Sequence, residues 1–202
     1  MNKYIISILI LFLLLVISTL YIFREKIISK KNMENISPYV MLGALRNNNK
    51  NVILVNVLSE KIPYLISCNG QQNTLNFGTQ EFEKYLEKDQ QLKNVDMVIL
   101  YCASWSCGAA QNYYNKLQSQ GLPMDKVVDY KGALHEWSMY SLVFPDLFYI
   151  NNLNTNELAN KDDIRQLAKD MLHTYKLKDE KESKNKIISE LSVVGEPLIN
   201  NL

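Results

Sequence analysis

The chain has 202 residues, 47% hydrophobic and 21% charged, which suffices for one packed domain and a small addition. Its 22 Lys and Arg stand against 21 Asp and Glu, and a net charge of +1 argues against a basic protein wrapped on nucleic acid. Three cysteines exclude a dense disulfide scaffold, and seven Gly with five Pro exclude a collagen-like or linker-rich chain.

Tyr4 to Phe23, YIISILILFLLLVISTLYIF, carries no charge. As a helix, about 20 residues at about 1.5 Å each match the roughly 30 Å of a bilayer core. The run is too long for a signal peptide, and it ends on the bulky Leu20-Tyr21-Ile22-Phe23. Residues 1–23 therefore read as a retained single-pass membrane anchor. Arg24, Lys26, Lys30 and Lys31 follow the span and only Lys3 precedes it, so the positive-inside rule directs the C-terminal body to the cytosol. An odd number of cysteines fits a reducing compartment. Residues 24–37 read as a basic linker.

A folded domain is expected over residues 38–175. Tyr39–Leu42 suggests a short strand and 43–49 one or two helical turns. Asn51–Leu58, NVILVNVL, is a continuous apolar run, the pattern of a buried parallel strand. A short strand is expected at Tyr64–Ser67. Helical spacing follows over Thr79–Leu92, with Thr79 as N-cap. Val95–Tyr101, VDMVILY, is the second strong buried strand, and the loop CASWSC from Cys102 to Cys107 lies at its end. Gly108–Gln120 reads as a helix closed by Gly121. Lys126–Tyr130 is a strand, Ala133–Tyr140 a helix bearing Trp137, Phe144–Tyr149 an irregular apolar stretch around Pro145, and Asp162–Tyr175 a helix. Residues 176–202 form a charged tail. This alternation predicts an α/β domain with a mostly parallel central sheet and helices on both faces. Such sheets bind ligands beyond the carboxyl ends of their strands, where the Cys102 loop sits.

A thiol between a buried strand and a helix meets the unpaired N–H groups of the loop and the positive end of the helix dipole. Both favour a thiolate at Cys102. The small residues Ala103, Ser104 and Ser106 let the loop curl around the sulfur. A buried structural cysteine is the alternative.

Three features resemble the rhodanese-like domain, a sulfurtransferase family. The first is the strand ending Tyr101-Cys102 with its cradle to Cys107 and the helix opening Gly108-Ala109-Ala110. The second is Tyr130-Lys131-Gly132-Ala133-Leu134-His135-Glu136-Trp137, similar to the family's Gly-Gly-x-x-x-Trp stretch. The third is the Val52–Asn56 strand. The resemblance implies that Cys102 is the nucleophile. It would take a sulfane sulfur from thiosulfate or a persulfide and pass it to a thiol or cyanide. Ala103, Ser104, Trp105, Ser106, Cys107 and Gly108 would form the substrate-binding loop. No metal or organic cofactor is implied. The partners are a small or protein-borne sulfur donor, a thiol acceptor and the membrane, with no nucleic acid.

The chain departs from the family at several positions. The loop from Ala103 to Cys107 holds no cation, Asn56 stands for the usual Asp, Leu58 for Arg, and Ala133 for the second Gly. Cys107 reads either as a thiol that closes a disulfide with Cys102 or as a small apolar residue at the helix start. Cys68 and Trp137 read as core residues, His135 as a surface or helix-start residue rather than an acid or base, and His173 as a surface residue. Trp105 either walls the sulfur pocket or packs outside it. Two rival functions remain: a thiol-disulfide redox protein using Cys102 and Cys107, and a catalytically inactive module that binds partners. A phosphatase or arsenate reductase would need arginine where Gly108 stands.

Overall fold

The computed structural model describes residues 33–89 and 92–174. The expected anchor and the charged tail lie outside these residues. Among the described residues no helix is long and apolar enough to cross a membrane. In chain order the elements are β1 (Glu34–Asn35), α1 (Pro38–Leu45), β2 (Val52–Asn56), β3 (Tyr64–Cys68), β4 (Thr74–Gly78), α2 (Thr79–Lys88), β5 (Met97–Tyr101), α3 (Ala109–Ser119), β6 (Val127–Tyr130), α4 (Ala133–Val143), β7 (Phe148–Asn152) and α5 (Lys161–Thr174).

Five strands form the central sheet in the order β1-β6-β5-β2-β4, with every neighbouring pair parallel. The three apolar runs behave as their composition requires. Side chains alternate across the sheet, so each run feeds two cores. Val52, Leu54, Ile99, Tyr101, Val128 and Tyr130 pack with residues of α1, α4 and α5. Ile53, Val55, Val98, Leu100 and Val127 pack with residues of α2 and α3. Helices thus cover both faces, which is why these strands carry apolar residues at nearly every position.

β3 and β7 form a separate antiparallel pair beside the first core. Trp137 on α4 is fully buried and ties them together. Its indole N–H lies 3.0 Å from the Ser67 carbonyl of β3 and 3.2 Å from the Tyr149 carbonyl of β7. One donor thus serves both strands of the pair.

Several expectations are corrected. Tyr39–Leu42 is helical, not a strand: Ser37 accepts the Val40 N–H through its hydroxyl, and Pro38 occupies the first turn of α1. The end of the expected 24–37 linker belongs to the sheet, because Glu34 and Asn35 pair with Val128 and Asp129 and Met33 is buried. Accordingly the compact unit that holds the sheet begins at Met33. Gly78, not Thr79, is the N-cap of α2. The Thr79 N–H instead donates to Ser59 Oγ at 3.0 Å, so a neighbouring turn supplies the cap. β4 was not anticipated, and the stretch expected to be irregular around Pro145 leads into β7. Gly121 does close α3, with φ of +80°.

Candidate active site

β5 is the middle strand of the sheet, and its register places Tyr101 beside Asn56 of β2 and Tyr130 of β6. Cys102 follows at once, so the loop from 102 to 108 opens over the carboxyl ends of three strands. Cys102 is 3% exposed. It forms a disulfide with Cys107, their Cα atoms 6.3 Å apart, within the span such bonds use. The structure therefore joins the two thiols that the sequence singled out.

The loop is held at its base. The Leu134 N–H donates to the Cys102 carbonyl at 3.1 Å, and the His135 N–H to the Ala103 carbonyl at 2.9 Å. Both donors belong to the first turn of α4, whose N–H groups have no partner within their own helix. Within the loop, Cys107 N–H donates to the Ser104 carbonyl at 3.0 Å, and the Ser104 and Ser106 hydroxyls lie 3.3 Å apart. The N–H groups of Ala103, Ser104, Trp105 and Ser106 donate to no group among the described residues. With Gly108 as N-cap, α3 starts directly behind them. The local charge is thus the positive end of peptide dipoles, with no cationic side chain from Ala103 to Cys107.

Two neighbouring turns frame the loop. In the first, Asn56 is fully buried and organises the chain after β2. Its Nδ2 donates to the carbonyls of Ile62 and Tyr64, both at 2.8 Å, while Oδ1 accepts the Leu58 N–H at 2.9 Å. An ionised aspartate could make neither donation. In the second, the fully buried Tyr130 donates its hydroxyl to Glu136 Oε2 at 2.7 Å. Burial and then the Glu136 carboxylate raise the Tyr130 pKa well above the ordinary tyrosine value, so its proton stays in place. Gly132 sits under this bond, and a Cβ there would collide with the Glu136 carboxylate. Ala133 holds φ of +60°. That is left-handed backbone, about 1 kcal/mol costlier for alanine than for glycine.

The other candidates separate by placement. Trp105, in the middle of the loop, is 55% exposed. Trp137 and Cys68 are core residues, as expected. Burial pushes the Cys68 thiol up to about 12, against a smaller lowering by Arg46. His135 is half-buried at the start of α4, with its backbone on the loop. His173 falls in the last turn of α5. Sequence reasoning missed the Tyr130–Glu136 pair and the buried Tyr101 hydroxyl, which accepts the Ile66 N–H at 3.2 Å. A polar atom on a residue ending an apolar strand was the available signal. No group of three or more His, Cys, Asp or Glu able to hold a metal ion occurs among the described residues.

Comparison with known proteins agrees with this geometry at the level of the domain. Residues 55–140, which span Asn56, Cys102 and Trp137, match the model of the rhodanese-like domain. No curated protein matches the sequence. Among solved structures, the As-Sb reductase from Leishmania major is similar with a TM-score of 0.44 and 20% identity, over 68% of this chain and 99% of that one.

Proposed function

We propose that the protein is a sulfurtransferase in which Cys102 carries a sulfane sulfur as a persulfide and delivers it to a thiol or cyanide. One observation carries the reading. Cys102 stands at the carboxyl end of the central strand, under a loop with four uncommitted N–H groups, inside the segment that matches the rhodanese-like domain. The thiolate attacks the outer sulfur of the donor, and the remainder of the donor leaves. The loop N–H groups then stabilise the anionic persulfide as an oxyanion hole stabilises its oxyanion. The absence of a loop cation disfavours thiosulfate and favours a persulfide donor.

Intact mass of the full chain, reduced and then exposed to glutathione persulfide or thiosulfate, tests this. A Cys107→Ser variant is included so that no internal thiol can discharge the product. A species heavier by one sulfur atom, lost to cyanide with formation of thiocyanate and absent in Cys102→Ser, is expected. No such species with either donor would refute the proposal.

The Cys102–Cys107 disulfide favours a second reading, a thiol-disulfide redox protein. In that reading the pair cycles between dithiol and disulfide and no sulfur is ever carried.

Residues 4–23 are further proposed to anchor the domain to a membrane with its body in the cytosol. Carbonate extraction and protease protection of the full chain test the anchor and its orientation. Release by carbonate would refute the anchor, and a protected body would refute the orientation.

A further inference from the structure

We infer that Cys107 discharges the Cys102 persulfide internally, so that the domain converts sulfane sulfur to sulfide and consumes a dithiol reductant. This rests on the persulfide chemistry proposed for Cys102. The disulfide places Cys107 Sγ in bonding reach of Cys102 Sγ while α4 holds the loop base and α3 starts directly after the loop. Closing the pair therefore requires no dismantling of the sheet or of either helix. The sulfur that Cys107 Sγ is shown to reach is the Sγ of Cys102, which is the inner sulfur of a Cys102 persulfide.

The steps balance. The Cys102 thiolate takes the outer sulfur of a persulfide R–S–SH, and R–S⁻ leaves. The Cys107 thiolate then attacks Cys102 Sγ. The new bond is Cys102–Cys107, the bond broken joins Cys102 Sγ to the outer sulfur, and hydrosulfide leaves with the electron pair. Two cysteine thiols are oxidised to a disulfide and one sulfane sulfur is reduced to sulfide. An external dithiol restores the pair in two exchanges and is itself oxidised. Cys107 is half-buried and Cys102 is 3% exposed, so the reductant meets Cys107 first. Cys102 then leaves as the thiolate, ready for another donor.

The test uses the reduced, desalted full chain mixed with one equivalent of glutathione persulfide and no added thiol. Sulfide is read by trapping and the protein by intact mass and peptide mapping. Wild type is expected to end lighter by two hydrogen atoms, with one sulfide released per chain above the Cys102→Ser background. Cys107→Ser and Cys107→Ala should stay heavier by one sulfur atom and release none. A protein dithiol should then reduce the wild-type disulfide and permit a second turnover. Wild type that stays heavier by one sulfur, or that carries the extra sulfur on Cys107, overturns the inference and leaves the Cys102 reading standing. Cys107 variants that take up no sulfur, or carry glutathione in its place, overturn both.

Discussion

Replacing Asn56 by Asp changes one atom pair and reverses the polarity of a buried junction. Asn56 is fully buried, and its amide donates to two carbonyls at 2.8 Å. In Asn56→Asp a carboxylate oxygen would face both carbonyl oxygens with no proton between them. Ionised, it keeps the Leu58 N–H as its only hydrogen-bond donor there. Taking up a proton lets it satisfy one carbonyl and leaves the other bare. An aspartate of ordinary pKa about 3.9 held protonated at pH 7 costs about 4 kcal/mol, at about 1.4 kcal/mol per pH unit. The bare carbonyl adds about 1–3 kcal/mol. The total, about 5–7 kcal/mol, rivals the whole stability of an ordinary domain. The pH dependence has a definite sign. The folded-state pKa of the new carboxyl is raised, so the proton-linked stability is complete below the unfolded pKa and is lost as pH rises through the folded one. The deficit against wild type should therefore shrink toward about 1–3 kcal/mol near pH 4. Urea unfolding of both proteins at several pH values, followed by tryptophan emission, measures it. A variant within about 1 kcal/mol of wild type at pH 7, or a deficit flat from pH 4 to 7, would refute the assignment of Asn56 as a donor.

Trp137→Phe removes the one N–H shared by β3 and β7 and should cost about 0.5–1.5 kcal/mol in urea unfolding, since the Ser67 and Tyr149 carbonyls lose one hydrogen bond but keep their pairing within the β3–β7 ladder. After reduction, iodoacetamide at pH 8 should label Cys102 and Cys107 well before Cys68, whose pKa of about 12 leaves almost no thiolate; equal labelling by peptide mapping would contradict this. Reducing the disulfide should change tryptophan emission through Trp105, which lies within the bridged loop and is 55% exposed, whereas Trp137 is buried elsewhere. Trp105→Phe should abolish most of that change, and an undiminished response would place the reporter at Trp137 instead.

The central strands were legible because burial on both faces writes apolar residues at every position, as in Val52–Val55 and Val98–Tyr101. β4 was not, because it is an edge strand: Leu75 is exposed and Asn76 interrupts the pattern. β7 was hidden by Pro145 and by its Asn-rich end, and β1 is two polar residues. Tyr-Val-Met-Leu after Pro38 has strand propensity, but one hydroxyl from Ser37 and the fixed φ of proline made it a helix. The cysteine loop was legible through its position after an apolar run. The role of Asn56 was not, since its partners are backbone carbonyls six and eight residues away, which leave no mark in side-chain identity. Ala133 carries no mark of its left-handed backbone in the sequence, and only the structure reveals it.

The two hydrogen bonds from α4 to the carbonyls of Cys102 and Ala103 reach further than anchoring. Across a trans peptide the carbonyl and the following N–H point in opposite directions, and the described chain contains no cis bond. Turning the Cys102 and Ala103 oxygens toward α4 therefore turns the Ala103 and Ser104 N–H groups away from it. In the proposed sulfurtransferase, the helix would thereby set the direction of two loop dipoles in advance of the persulfide, sparing the reorganisation that water would undergo around the same charge.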